Sequence, residues 1–64
     1  MGMLEALKKR YEAQIAEGIA TVDIYLKHPV GIGEHPQHLD EIDKQLDKIK
    51  EAEEKITLIE RWIK

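Results

Sequence analysis

The chain contains no cysteine, which excludes disulfides and thiolate metal sites outright. It contains no serine either. Its threonines, Thr21 and Thr57, fall inside segments of helical pattern with no base beside them, so no activated nucleophile is built into the chain. Phenylalanine is absent, and Tyr11, Tyr25 and Trp62 are the only aromatic residues. No apolar run approaches the ~20 residues that a membrane-spanning helix needs. The N-terminus lacks the apolar core of a signal peptide. Gly2 follows Met1, but Ala6 stands where a myristoylation motif requires Ser or Thr. These absences predict a cytoplasmic protein without a membrane partner, and they argue against an enzyme. Positive charge is also in deficit: the formal net charge is -3, which argues against non-specific binding to nucleic acid, whose phosphates reward clustered Lys and Arg.

What remains is short, charged and periodic. Sixty-four residues suffice for one domain, and a chain this small buries a modest fraction of its surface and is marginal alone. With disulfides and thiolate metals excluded, the routes to stability are oligomerisation, a histidine or carboxylate metal site, or very good helix packing. Charged residues make up 36% and hydrophobic residues 42% of the chain. That mixture suits helices with one apolar stripe and a heavily charged face, and it is too hydrophobic for a disordered chain.

Both prolines and two of the four glycines lie between His28 and Pro36. On either side the chain reads as helix. The first segment, 2–28, carries Leu4, Leu7, Tyr11, Ile15, Ile19, Val22 and Leu26 at steps of three and four, a stripe that runs almost straight along one face. Ala13, Ala20 and Ile24 flank it. Gly18 costs about 1 kcal/mol against Ala in a helix interior; close approach of a second helix accounts for it better than a hinge does. Pro29 ends this segment, because the residue before a proline is pushed out of the helical region. Lys27 and His28 then sit at the negative end of the helix dipole.

The second segment, 36–64, opens with Pro36 at a favoured first helical position and His35 as a mediocre N-cap. Its apolar positions are Leu39, Ile42, Leu46, Ile49, Ala52, Ile56, Ile59 and Ile63. They step alternately by three and four, except at Ile49, where two steps of three meet. The pattern is a coiled-coil seam with one discontinuity. Asp40 with Lys44, Glu51 with Lys55 and Glu60 with Lys64 are expected to pair along the exposed face. Leu58 and Trp62 widen the stripe near the C-terminus. One hairpin contact cannot cover so wide a stripe, and leftover apolar surface marks an interaction site. Trp62 reads as an interface anchor.

The connection, 29–35, holds the remaining chemistry. His28, His35 and His38, with Glu34, are candidate metal ligands by residue type. Their spacing matches no strong zinc signature, and helix-end capping accounts for the same histidines. Gly31-Ile32-Gly33 has the look of a phosphate-loop fragment but lacks both the following lysine and the preceding strand. Glycine's freedom at positive φ in a tight connection is the better account. Val30 and Ile32 are expected to tuck under the loop. The run Lys8-Lys9-Arg10 lacks aromatic interleaving or a second basic helix and reads as a solvated helix face.

The stretch from Tyr25 through His28-Pro29-Val30-Gly31-Ile32-Gly33-Glu34-His35-Pro36, followed by an acidic helix start, resembles a loop in small uncharacterised helical proteins of marine bacteria and their tailed phages. The likeness covers less than half of the chain. It implies that the loop is the distinctive feature and the helices its scaffold, and it implies no catalytic or binding residue.

The sequence therefore predicts an all-α antiparallel helical hairpin in one domain, 1–64, pairing with a second copy into a four-helix bundle. Isoleucine at both kinds of seam position leaves higher assemblies open. The expected function is a structural or adaptor module for protein–protein interaction, with no cofactor and with itself, or another helical protein, as partner. A divalent-metal-binding protein using the loop histidines is the alternative from another class. A phage regulator that meets nucleic acid through Lys8 to Arg10 is the third.

Overall fold

The computed structural model describes residues 2–27 and 37–63. They form two helices, α1 (Met3–Lys27) and α2 (Gln37–Ile63). Lys8 meets Glu60, Gly18 meets Ile49, and Tyr25 meets His38. Residue numbers rise along one helix as they fall along the other, so the helices are antiparallel and the fold is an all-α helical hairpin.

α1 begins one residue later than the periodicity suggests. Gly2 stands before the first turn as its cap. Its N–H donates to Glu5 Oε1 at 3.1 Å, and its carbonyl accepts the Ala6 N–H at 3.1 Å. This is the returning half of a capping box, in which a glutamate in the first turn satisfies the N–H of the cap residue. The other expected boundaries, at His28, Pro36 and Lys64, lie outside the described residues. So does the connection with Val30, Gly31, Ile32 and Gly33.

The contact between the helices is narrow. Gly18, Ala52 and Ile59 are its buried residues. Around them Leu7, Tyr11, Ile15, Val22 and Tyr25 of α1 are half-buried, as are His38, Ile42, Gln45, Ile49 and Ile56 of α2. Along α2 the inward row is therefore His38, Ile42, Gln45, Ile49, Ala52, Ile56, Ile59 and Ile63. Its steps alternate four and three without a break, the regular heptad of a coiled-coil seam.

The discontinuity at Ile49 is thus an artefact of reading apolar residues alone. Leu39 and Leu46 belong to the neighbouring row, and the inward positions beside them hold His38 and Gln45. α1 behaves in the same way. Gly18 and Tyr25 take the inward positions that apolar counting assigns to Ile19 and Leu26, and both of those side chains are exposed.

Gly18 explains the choice of row. A Cβ built on it would lie 2.8 Å from Ile49 Cγ1 and 3.1 Å from Ile49 Cδ1, with Gln45 Oε1 at 3.6 Å. Real side chains do not approach so closely. The Ile49 side chain occupies the space that any residue larger than glycine at 18 would need. Close approach, rather than a hinge, is the role of this glycine, and its ~1 kcal/mol of lost helix propensity is the cost.

Candidate interaction surface

The two edges of the hairpin differ in chemistry. On one edge, α1 carries Glu5, Glu12, Ile19 and Leu26 at seven-residue steps, and α2 carries Leu39, Leu46, Glu53 and Glu60. Heptad spacing keeps each row on one side. Between these rows a groove of about 200 Å³ is lined by Ile19, Val22, Asp23 and Leu26 of α1 and by Leu46 and Ile49 of α2. It is apolar except for Asp23, whose carboxylate is held by Lys27 at 2.8 Å. Leu46 is 53% exposed and Leu39, one heptad earlier, is 67% exposed. Toward the other end of the same edge the lining becomes charged. Lys8 Nζ lies 3.3 Å from Glu60 Oε2 across the two helices, and Glu5, Lys9 and Glu12 stand beside it with Ile63.

The opposite edge is polar at its middle. Gln14, Glu17, Gln45 and Lys48 line a hollow there. Lys55 Nζ sits 5.3 Å from the centroid of the Tyr11 ring, within range of a cation–π attraction. Trp62 shares this edge with Lys48 and Lys55, at seven-residue steps, and is 79% exposed.

The residues that periodicity marks for an interface therefore separate into two groups. Leu7, Tyr11, Ile15, Val22, Ile42, Ile49, Ile56 and Ile59 are buried or half-buried in the hairpin. Ile19, Leu26, Leu39, Leu46 and Trp62 are exposed, with Leu4 and Ile63 near the boundary. The inward members that apolar counting misses are Tyr25, His38 and Gln45. A heptad register laid from Ile42 through Ile63 and extended backward would have found the last two.

The polar candidates resolve similarly. Of the proposed metal ligands, His28, Glu34 and His35 lie outside the described residues. His38 lies inside the seam, its ring centroid 5.3 Å from that of Tyr25 at an interplanar angle of 45°. Among the described residues no group of three or more His, Cys, Asp or Glu comes together to hold a metal ion. Thr21 Oγ1 donates to the Glu17 carbonyl at 2.9 Å and Thr57 Oγ1 to the Glu53 carbonyl at 3.1 Å. Both hydroxyls are back-bonded to their own helix.

Lys8, the first residue of the basic run, is engaged by Glu60. The expected Asp40–Lys44 pair is replaced by Glu41–Lys44 at 3.4 Å, since i,i+3 and i,i+4 neighbours are equally within reach on a helix. Glu51–Lys55 forms as expected, at 3.8 Å. Glu60 turns across the hairpin to Lys8, and Lys64 lies outside the described residues. Among the described residues no helix is long and apolar enough to cross a membrane. No protein-family model, curated protein or solved structure matches the chain.

Proposed function

We propose that this chain is a self-associating helical module, a structural or adaptor protein whose hairpin is one half of a larger helical bundle. One observation carries the reading. Among the described residues no large side chain is fully buried, while Ile19, Leu26, Leu39 and Leu46 stand exposed beside the seam. A two-helix unit with so thin a core is marginal in water. Burying aliphatic side chains against another copy contributes roughly 1.5–3 kcal/mol for each side chain that becomes fully covered. Such an addition is large beside the 5–15 kcal/mol that separates folded from unfolded domains.

The reading is tested by light scattering during size-exclusion chromatography over a range of concentrations, with helicity followed by circular dichroism. A defined dimer or higher oligomer is expected, with an unfolding midpoint that rises with protein concentration, because association stabilises by mass action. A folded monomer at every concentration, with a midpoint independent of concentration, would sink it. A monomer of weak helicity would mean that the apolar stripes wait for a different protein.

A further inference from the structure

We propose that the edge bearing the groove docks one amphipathic helix of another protein, aliphatic where it crosses Leu26 and Leu46 and rich in Lys and Arg where it passes Glu12 and Glu53. The proposal goes beyond self-association and does not rest on it.

The edge is divided in two along its length. Lys8 meets Glu60 and Tyr25 meets His38. The antiparallel rows therefore set Leu26 level with Leu39, Ile19 with Leu46, Glu12 with Glu53 and Glu5 with Glu60. Two successive heights are aliphatic on both helices, and the next two carry a carboxylate on both. Every one of these residues is exposed.

The carboxylates are only partly answered within the hairpin. Lys8 pairs with Glu60, and Glu5 accepts the Gly2 N–H. Lys9 and Lys50 stand three residues before Glu12 and Glu53 along their helices. Even so, Glu12 and Glu53, the two carboxylates nearest the groove, make no ion pair with any described residue. Like charges at matching heights reinforce one local negative potential, and a cation placed between them relieves their repulsion.

The groove favours side chains over a small ligand. Its volume, about 200 Å³, is below the ~300–1,000 Å³ of small-molecule sites. Its walls are aliphatic, and its one carboxylate, Asp23, is already held by Lys27. An amphipathic helix laid in an apolar groove is a recurring mode of recognition. The row from Glu5 to Leu26 rises ~32 Å at 1.5 Å per residue, a length that one helix of about six turns covers.

A second copy is the poorer occupant of the whole edge. Laid in the same direction, it sets Glu12 over Glu53 and Glu5 over Glu60. Reversed, it sets Leu26 and Leu39 over Glu5 and Glu60, and desolvated charges without partners are costly. A helix with cations over the carboxylate half avoids both, and complementary potentials select one partner against others. Such a helix and a second copy compete for the same aliphatic residues.

The test uses the full chain and labelled synthetic helices of about 24 residues. Each has leucine at the seam positions of one half and lysine flanking the seam in the other. They are made with the leucine half first and with it last, and again with glutamate in place of every lysine. Fluorescence anisotropy at low salt is expected to show the better lysine peptide binding at least ~30-fold more tightly than its glutamate counterpart, a preference that shrinks as salt is added. Glu12→Lys with Glu53→Lys is expected to reverse the preference. Asp47→Lys with Glu54→Lys makes the same change in net charge on the outward face of α2 and should alter the preference by no more than about threefold.

Equal affinity for lysine and glutamate peptides, or no binding of either up to ~100 μM, overturns the proposal. So does an equal effect of the two double variants, which would mean that net charge alone attracts the peptide. Glutamate and lysine have similar helix propensity and both altered sites are exposed, so circular dichroism should show the hairpin unchanged. The peptide comparison on the wild-type chain stands whatever the variants do. A wild-type monomer at all concentrations, the result that sinks self-association, leaves this test as it is.

Discussion

Ala52→Asp should abolish cooperative unfolding of the hairpin, or lower its stability on the order of 3–5 kcal/mol, the cost of an uncompensated buried charge. Ala52 is the most buried hydrophobic residue described, at 2% exposure. It sits in the α2 seam between Ile49 and Ile56, with apolar residues one step away in each direction. A carboxylate there loses its hydration where the helices are in contact. It can recover only by ionising less readily or by forcing the helices apart.

Ala20→Asp makes the same chemical change on the exposed face of α1 and is expected to cost less than about 1 kcal/mol, through helix propensity alone. Thermal and urea unfolding followed by circular dichroism measure both. Equal effects from the two substitutions would mean that the seam is not the contact described here.

The second large effect is expected at Gly18. Gly18→Leu places a branched side chain where Ile49 Cγ1 already lies 2.8 Å from the position of a Cβ. Overpacking of a closed contact costs typically 1–3 kcal/mol. The upper end is expected here, because the only relief is separation of two helices that share a thin core. Helix propensity pulls the other way, since any ordinary residue is better than glycine in a helix by up to ~1 kcal/mol. Gly18→Ala should cost less than Gly18→Leu, its propensity gain offset by the shift that a Cβ 2.8 Å from Ile49 Cγ1 forces on that side chain.

The decisive measurement is a double-mutant cycle. Ile49→Ala empties the space in front of position 18, so Gly18→Leu should cost at least 1 kcal/mol less in that background than in the wild type, a coupling of the size expected between residues in contact. Strict additivity would show that residues 18 and 49 do not touch.

Both predictions concern positions that a hydrophobicity count treats as minor. Gly18 interrupts the first apolar stripe and carries no side chain to count. Yet its smallness brings α2 closest and sets which row of α1 faces inward. Gln45 is polar and His38 is polar, so neither registers in an apolar pattern, although both hold seam positions opposite α1. The half-buried state of these two residues follows from the register of Ile42, Ile49, Ile56 and Ile63 rather than from their own chemistry. Leu39 and Leu46 make the complementary case. They are strongly apolar, and the hairpin leaves them in solvent. The candidate interaction surface was therefore present in the sequence as residues but not as a surface.

The sequence by itself determined that two long helices form, that the first begins within a residue of Gly2, and that the pair carries more apolar surface than one helix contact can hide. Those features are local: they follow from the 3.6-residue period, from the clustering of proline and glycine between residues 28 and 36, and from the chain's length. Only the tertiary structure decided which of two adjacent rows on each helix turns inward. A stripe wider than one contact permits either row. The choice falls to the closest approach of the backbones, which Gly18 allows at one height and Ile49 fills. That choice leaves Ile19, Leu26, Leu39 and Leu46 together on one edge of the hairpin, open to a partner.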